Sequence, residues 1–340
     1  MSNVLFLIGN GFDLNCGLKS RYIDAYNYYC SKTSNNSEVI KKFKKDLLDN
    51  HENWSDFEIG ISDYAKKLSN ENELIECIRD FRKSLKEYLN IEETKFFETI
   101  NSTSGLADII NKETSKSITT FYAGISNNIS RLVHGQDTSA FITFNYTSLL
   151  DNFIISKYNS TNNSFTFKSE RTTSQVLHIH GAYNKGTPVL GIDRIEQLNV
   201  RYSLSEKGKR TIIKPTFNSA VDDKRIESAK GFIEQARYIC IFGLSLGLSD
   251  LTWRELIISW LSRFESHHLF IYDYSAYDKT NLEDDERLDL EDDLKTKLFL
   301  DWGLDTASKL WQQIHMPCGN KIFNYKEVID NYIEKNKVKE

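Results

Sequence analysis

Apolar and polar positions along the chain alternate between two periods. Residues 4–8, Val4-Leu5-Phe6-Leu7-Ile8, form an unbroken apolar run of strand length, the pattern of a strand buried on both faces. Further strand-like runs lie at 141–144, 174–179, 189–192, 238–242 and 269–272, and segments with helical spacing separate them at 147–157, 222–237 and 250–265. Between the first and second runs, residues 20–135 read as mostly helical. Over 62–89, Ile75, Ile78, Phe81, Leu85 and Leu89 recur at spacings of three and four, and over 119–133 Phe121, Ile125, Ile129 and Leu132 repeat the pattern. The three prolines, Pro188, Pro215 and Pro317, all lie outside this block. Residues 159–173, rich in Ser, Thr and Asn, read as a loop or hairpin.

Short apolar strands alternating with helices predict an α/β fold with a Rossmann-like, mainly parallel sheet. The helical block is too long for a simple crossover and predicts a large helical insertion after the first strand. The expected division is 1–20 with 136–340 as a nucleotide-binding domain, and 21–135 as the insertion. With 340 residues, 40% of them hydrophobic and 12% aromatic, the chain can bury a sizeable core. No linker-like stretch divides it, so one body with an insertion is expected.

Composition narrows the function classes. A formal net charge of -5 offers no basic surface for nucleic acid; the run Lys41-Lys42-Phe43-Lys44-Lys45 reads as the solvated face of a helix. The acidic stretch 283–293 reads as an exposed loop or a helix start and lacks the regular ligand spacing of a calcium loop. Five cysteines without a Cys-x-x-Cys pair exclude a zinc ribbon or dithiol motif and fit a reducing compartment. The opening lacks the basic start and long apolar run of a secretory signal, and no stretch is long enough to span a bilayer. A cytoplasmic protein without a membrane partner is expected.

The chemistry concentrates where the strand-like runs end, the place where open α/β sheets bind ligands. Gly9-Asn10-Gly11 follows the first run directly. Its glycines would let the backbone approach a phosphate, and the next helix would offer its N-terminus. The third glycine of the dinucleotide fingerprint is replaced by Leu14, so a tight strand-to-helix turn without a ligand stays open. Asp13 suits either a helix cap or a ribose hydroxyl. Asn145 and Tyr146 follow the second run; Asn145 could cap a helix beginning near Thr147, or orient a water or grip a ribose. His178 and His180 would share a face on a strand, but no third metal ligand accompanies them, and no metal is expected. One imidazole is expected to be structural; the other, His180, is a candidate general base, or else satisfies a loop carbonyl. Gly191 and Asp193 end the fourth run. Gly243 to Gly247, with Ser245 inside, reads as a second phosphate turn or a tight connection, with Asp250 as a helix cap. Trp54, Asp56 and Glu58 place two carboxylates in a short run, either a metal-binding pair of a nuclease or an element that packs Trp54 and Phe57.

Leu7-Ile8-Gly9-Asn10-Gly11-Phe12-Asp13-Leu14, then Gly17-Leu18-Lys19-Ser20-Arg21-Tyr22, Trp54-Ser55-Asp56-Phe57-Glu58, Phe144-Asn145-Tyr146-Thr147, His178-Ile179-His180-Gly181 and Gly243-Leu244-Ser245 together resemble the bacterial abortive-infection AbiH family. That resemblance implies a role in defence against phage. The same order is similar to a divergent sirtuin-like NAD-binding domain. Carried over, Gly9 and Gly11 would face the NAD pyrophosphate, with Asn10 and Asp13 in the same turn. Asn145 would hold the nicotinamide-side ribose or a water, His180 would be the catalytic base, and Gly243 and Ser245 would contact the adenosine side. Asp13 or Asp193 would be the assisting carboxylate. The zinc-binding cysteine module of sirtuin deacetylases is absent, which points to water rather than acetyl-lysine as acceptor. The expectation is an effector that takes NAD as its substrate and cleaves its nicotinamide–ribose bond, acting as a homo-oligomer and triggered by a phage or host partner on the helical insertion. The alternatives are a non-catalytic nucleotide-binding sensor and a metal-dependent nuclease.

Overall fold

In the computed structural model the first apolar run is β1 (Val4–Ile8), buried along its whole length. The structure describes residues 4–32, 37–54, 56–129, 139–154, 158–159, 164–165, 176–221, 224–277, 279, 281–319 and 321–337. The remaining strands are β2 (Ser139–Thr143), β3 (Tyr158–Asn159), β4 (Ser164–Phe165), β5 (Val176–His178), β6 (Tyr238–Phe242), β7 (His268–Tyr272) and β8 (Ile314–His315). Six of them form one sheet in the order β5-β2-β1-β6-β7-β8, with every pairing parallel. β3 and β4 form a separate antiparallel pair at the start of and within the predicted loop or hairpin, most of which lies outside the described residues.

The apolar runs are continuous because both faces of the sheet are covered. Side chains alternate across β1: Val4, Phe6 and Ile8 enter one core and Leu5 and Leu7 the other. The helices in chain order are α1 (Asn10–Asn15), α2 (Tyr22–Ser31), α3 (Glu38–Asp49), α4 (Phe57–Ala65), α5 (Glu71–Ser102), α6 (Leu106–Ile129), α7 (Leu149–Ile154), α8 (Glu206–Ile212), α9 (Lys214–Ala220), α10 (Lys224–Gln235), α11 (Leu251–Arg263), α12 (Tyr274–Tyr277), α13 (Asp284–Trp302) and α14 (Tyr325–Lys337). α6, α7 and α14 cover the first face, where Phe6 stacks on Phe141 at 4.8 Å and Phe121 meets both Phe6 and Phe270. α10, α11 and α13 cover the second.

The predicted helical region after the first strand is present as α2 to α6. Side-chain caps start three of its helices: Ser37 accepts from the Ile40 amide, Asp56 from Glu58 and Ile59, and Asn70 from Asn72 and Glu73. α2 to α5 build their own aromatic core from Tyr26, Tyr29, Phe43, Trp54, Phe57 and Phe81. α5 ties that core to the sheet side, since Glu93 accepts from the Ser148 amide at 2.7 Å and its hydroxyl at 2.8 Å, just before α7.

Several expectations are corrected. The run 189–192 is no strand; its only ladder contact is an isolated bridge between Ile192 and Ile213. Gly191 has φ +140°, and a Cβ there would collide with the Ile212 carbonyl. The segment is thereby drawn against α8 and α9, and Leu190 and Ile192 join the aromatic core rather than the sheet. β8 was not expected; two residues carry no readable period. The basic run on α3 is not wholly solvated, because Lys44 is buried, donates to the Lys32 carbonyl at 3.0 Å and lies over the Tyr29 ring. The acidic run opens α13: Glu283 and Glu286 form a capping box, and Asp284 and Asp285 sit in the first turn, where the helix end favours negative charge. Among the described residues no helix is long and apolar enough to cross a membrane.

Candidate functional site

A cavity of about 200 Å³ opens beyond the carboxyl ends of β1, β2 and β6. The turn after β1 gives it Asn10 and Asp13. The segment after β2 gives Phe144, Asn145, Tyr146 and Thr147, and the turn after β5 gives His180. The segment after β6 gives Gly243, Leu244, Ser245, Ser249 and Asp250. The helical region closes the far side with Tyr22, Asp56, Glu58, Leu85 and Leu89, and α9 contributes Lys214.

The two glycine turns pack on each other. The Gly9 amide donates to the Phe242 carbonyl at 3.0 Å and the Gly11 amide to the Gly243 carbonyl at 2.9 Å. A Cβ on Gly11 would stand 2.5 Å from Gly243 Cα, and Gly243 itself has φ +63°. Gly9 and Gly11 therefore stand behind the cavity wall, with their amides engaged, while Asn10, Gly243 and Ser245 line it. The amides of Asn10, Leu244 and Ser245 have no hydrogen-bond partner among the described residues. The Asn10 side chain is turned to Ser20, donating to its carbonyl at 3.1 Å.

Asp13 is 1% exposed. The Thr147 hydroxyl donates to its Oδ2 at 2.7 Å, and Oδ1 has no hydrogen-bond partner. Burial pushes its carboxyl up to about 7, opposed in part by Thr147 and the nearby Asn145 amide. That amide faces Asp13 without reaching hydrogen-bond geometry; both its oxygen and its nitrogen are buried and unpartnered. Asn145 does not cap a helix, and α7 begins only at Leu149.

The two histidines part company. β5 ends at His178 and the chain turns, the Gly181 amide donating to the His178 carbonyl at 3.2 Å, so the imidazoles do not share a face as expected for a continuing strand. His178 is held at both nitrogens, by Asp151 Oδ2 at 2.6 Å and the Asn145 carbonyl at 3.2 Å, and does not line the cavity. His180 does line it. Its Nε2 is 3.1 Å from Asp250 Oδ1, its ring meets Phe144 edge-on, and its buried Nδ1 has no partner. Burial and the charge of Lys214 push it below the ordinary histidine value against the pull of Asp250.

Asp250 makes no cap bond to α11. Burial alone would raise its carboxyl, but Lys214 and His180 hold it well below the usual carboxylate range. Asp193 caps α11 in its place, accepting from the Thr252 amide at 3.1 Å and hydroxyl at 2.8 Å. Lys214 Nζ lies 3.2 Å from Asp250, 3.6 Å from Glu58 and 3.1 Å from the Ser249 carbonyl. Burial would lower the lysine, but Asp250 and Glu58 hold it charged. Glu58 accepts from the Tyr22 hydroxyl at 3.2 Å, and burial pushes it up to about 8 despite Lys214.

Asp56 and Glu58 do converge on the cavity, but Asp56 serves first as the cap of α4, and its other oxygen accepts from the Ser249 hydroxyl at 3.4 Å. Trp54 and Phe57 are buried in the aromatic core. Among the described residues no group of three His, Cys, Asp or Glu has metal-binding geometry. Sequence reasoning missed Lys214, the role of Asp250 and the Tyr22–Glu58 contact. The one available signal was a lysine set between the apolar pair Ile212-Ile213 and Pro215.

No curated protein sequence matches the chain. The family model for bacteriophage abortive infection AbiH matches residues 5–273, which contain every wall of the cavity, and the chain belongs to the AbiH family.

Proposed function

We propose that this AbiH-family protein is an anti-phage abortive-infection effector that binds an NAD-like nucleotide in the cavity and hydrolyses its nicotinamide–ribose bond. The observation that carries the reading is the union of His180, with a free buried Nδ1, and Asn145, with an unpartnered amide, in one cavity at the carboxyl edge of a parallel sheet. The similarity to sirtuin-like NAD-binding domains supports the choice of nucleotide. At about 200 Å³ the chamber is smaller than the roughly 300–1,000 Å³ of common small-molecule pockets. It suits one end of a dinucleotide, the rest lying across the mouth.

In this reading Asn145 orients the attacking water or the ribose, and His180 Nδ1 takes the water's proton. The carbon–nitrogen bond breaks with its electron pair passing to nicotinamide, and water oxygen bonds to the sugar carbon. Asp13 stands by the positive charge that develops on the sugar. The open amides of Asn10 and Ser245 receive phosphate oxygens beside Gly243; Gly9 and Gly11 act by letting the two turns close on each other. The trigger engages the helical region, and the working form is a homo-oligomer.

The test is NAD content in cells producing the wild type, His180→Ala or Asn145→Ala, with and without phage. Loss of NAD in the wild type alone upholds the reading. Protection with unchanged NAD and an indifferent His180→Ala variant overturns it in favour of nucleotide sensing.

A further inference from the structure

Building on that nicotinamide-nucleotide reading, we infer that the inner end of the cavity selects a positively charged group, so that it takes the oxidised pyridinium form of a nicotinamide nucleotide and rejects the neutral reduced form.

Four carboxylates line the cavity, Asp13, Asp56, Glu58 and Asp250, against a single lysine, Lys214. Lys214 is shared between Asp250 and Glu58, and Asp56 is held by the amides at the start of α4. Asp13 is left. Among the described residues no basic side chain lies within ion-pair distance of it, only the Thr147 hydroxyl reaches it, and its Oδ1 is buried without a partner. Beside it Asn145, 5% exposed, presents an amide with neither atom bonded.

A buried carboxylate with unused acceptor capacity is costly until a donor or a cation meets it. The rise of Asp13 to about 7 expresses that missing charge: burial raises it, and the Thr147 hydroxyl, the Asn145 amide and the more distant His178 ring offset it only in part. The other unpartnered atoms add to the bias. Asn145 Oδ1 and His180 Nδ1 are acceptors or can act as such, and among the described residues Asn145 Nδ2 is the one buried side-chain donor of the cavity without a partner. An acid-lined, acceptor-rich chamber repels phosphate and attracts the positive pole of a ligand. In an oxidised nicotinamide nucleotide that pole is the pyridinium ring. It points inward, and the pyrophosphate stays at the mouth near Asn10 and Ser245. On cleavage the positive charge leaves the ring for the ribose, still within the same chamber.

The test is calorimetric titration of the full chain with four probes: NAD⁺, NADH, the N-methylnicotinamide cation and neutral nicotinamide. The expected result is tighter binding of the charged member of each pair by on the order of tenfold. Asp13→Asn is expected to erase that preference, and Asn145→Asp, which adds a carboxylate beside Asp13, to strengthen it. The second variant keeps the test decisive if the first fails to fold. Equal affinity within both pairs, or a preference that survives Asp13→Asn, overturns the inference. Equal binding of NAD⁺ and NADH with no cation preference removes the selection and leaves the nucleotide reading in place. Binding of N-methylnicotinamide with neither dinucleotide upholds the selection and removes the nucleotide reading. No binding by any probe overturns both.

Discussion

Asp250 Oδ1 stands 3.1 Å from His180 Nε2, and this contact decides which nitrogen of the imidazole faces the cavity. Lys214 beside Asp250 keeps the carboxylate ionised, so it can only accept. The neutral ring must then carry its proton on Nε2, leaving a lone pair on Nδ1. In the wild type, nitrogen-15 NMR should find His180 in the Nε2–H tautomer. Asp250→Asn can donate as well as accept, so the tautomer is no longer fixed. NAD cleavage should fall by ~10³–10⁴-fold in a folded protein, the scale seen when a histidine base loses its orienting carboxylate. An unchanged rate in Asp250→Asn would detach Asp250 from the chemistry.

Asp193 provides the contrast. Its carboxylate caps α11 through Thr252. Asp193→Ala should lower stability by about 1 kcal/mol, measured by urea unfolding, and leave NAD cleavage within a few-fold of wild type. A loss of activity as deep as that of Asp250→Asn, at undiminished stability, would make Asp193 the assisting acid instead.

The glycine turns yield a stability prediction. Gly11→Ala places a Cβ 2.5 Å from Gly243 Cα, backbone against backbone. Gly243→Ala meets Gly11 Cα at 2.6 Å and must also hold φ +63°. Each should cost about 1–3 kcal/mol as overpacking, with Gly243→Ala the worse by about 1–2 kcal/mol for its left-handed backbone. Denaturant midpoints check this. A Gly11→Ala protein of wild-type stability that had lost only ligand binding would mean that the glycine serves the ligand and not the turn.

The sheet was legible because five of its strands are apolar runs, and a strand covered on both faces has no alternative reading as a half-exposed one. β8 was not legible, since two residues cannot show a period, and 189–192 misled because apolar content does not reveal that Gly191 is pulled against Ile212. At the site, the strand-end rule located Asn145, His180 and Ser245, all of which line the cavity. It could not separate Gly9 and Gly11 from the wall, because close approach to another turn and close approach to a phosphate demand the same residue. It also could not find Lys214 or Glu58, which arrive from the helical region and α9; their pairing with Asp250 exists only in three dimensions.

The two raised carboxyls predict how stability varies with pH. Asp13 moves from 3.8 to about 7 and Glu58 from 4.5 to about 8 on folding, so between those limits the folded state binds more protons than the unfolded one. The contribution of these two groups to stability must then fall as pH rises from about 4.5 to 8, by up to about 4 kcal/mol for each. Asp250 acts oppositely: its depressed carboxyl adds stability that is complete above the unfolded value of 3.8 and is lost only as pH falls below it. His180, His268 and His315, which burial holds below the ordinary histidine value, also act in the opposite sense to the raised carboxyls, and their contribution grows as pH rises toward 6.5. Above pH 6.5 the histidine contribution is complete and the two raised carboxyls set the slope. Melting temperature between pH 6.5 and 8 should decline in the wild type and decline less in Asp13→Asn, whose amide has no proton to lose. A variant with the wild-type slope would show that Asp13 is already ionised throughout, with its charge compensated within the fold. The chamber would then lack the missing positive charge on which its preference for a cation depends.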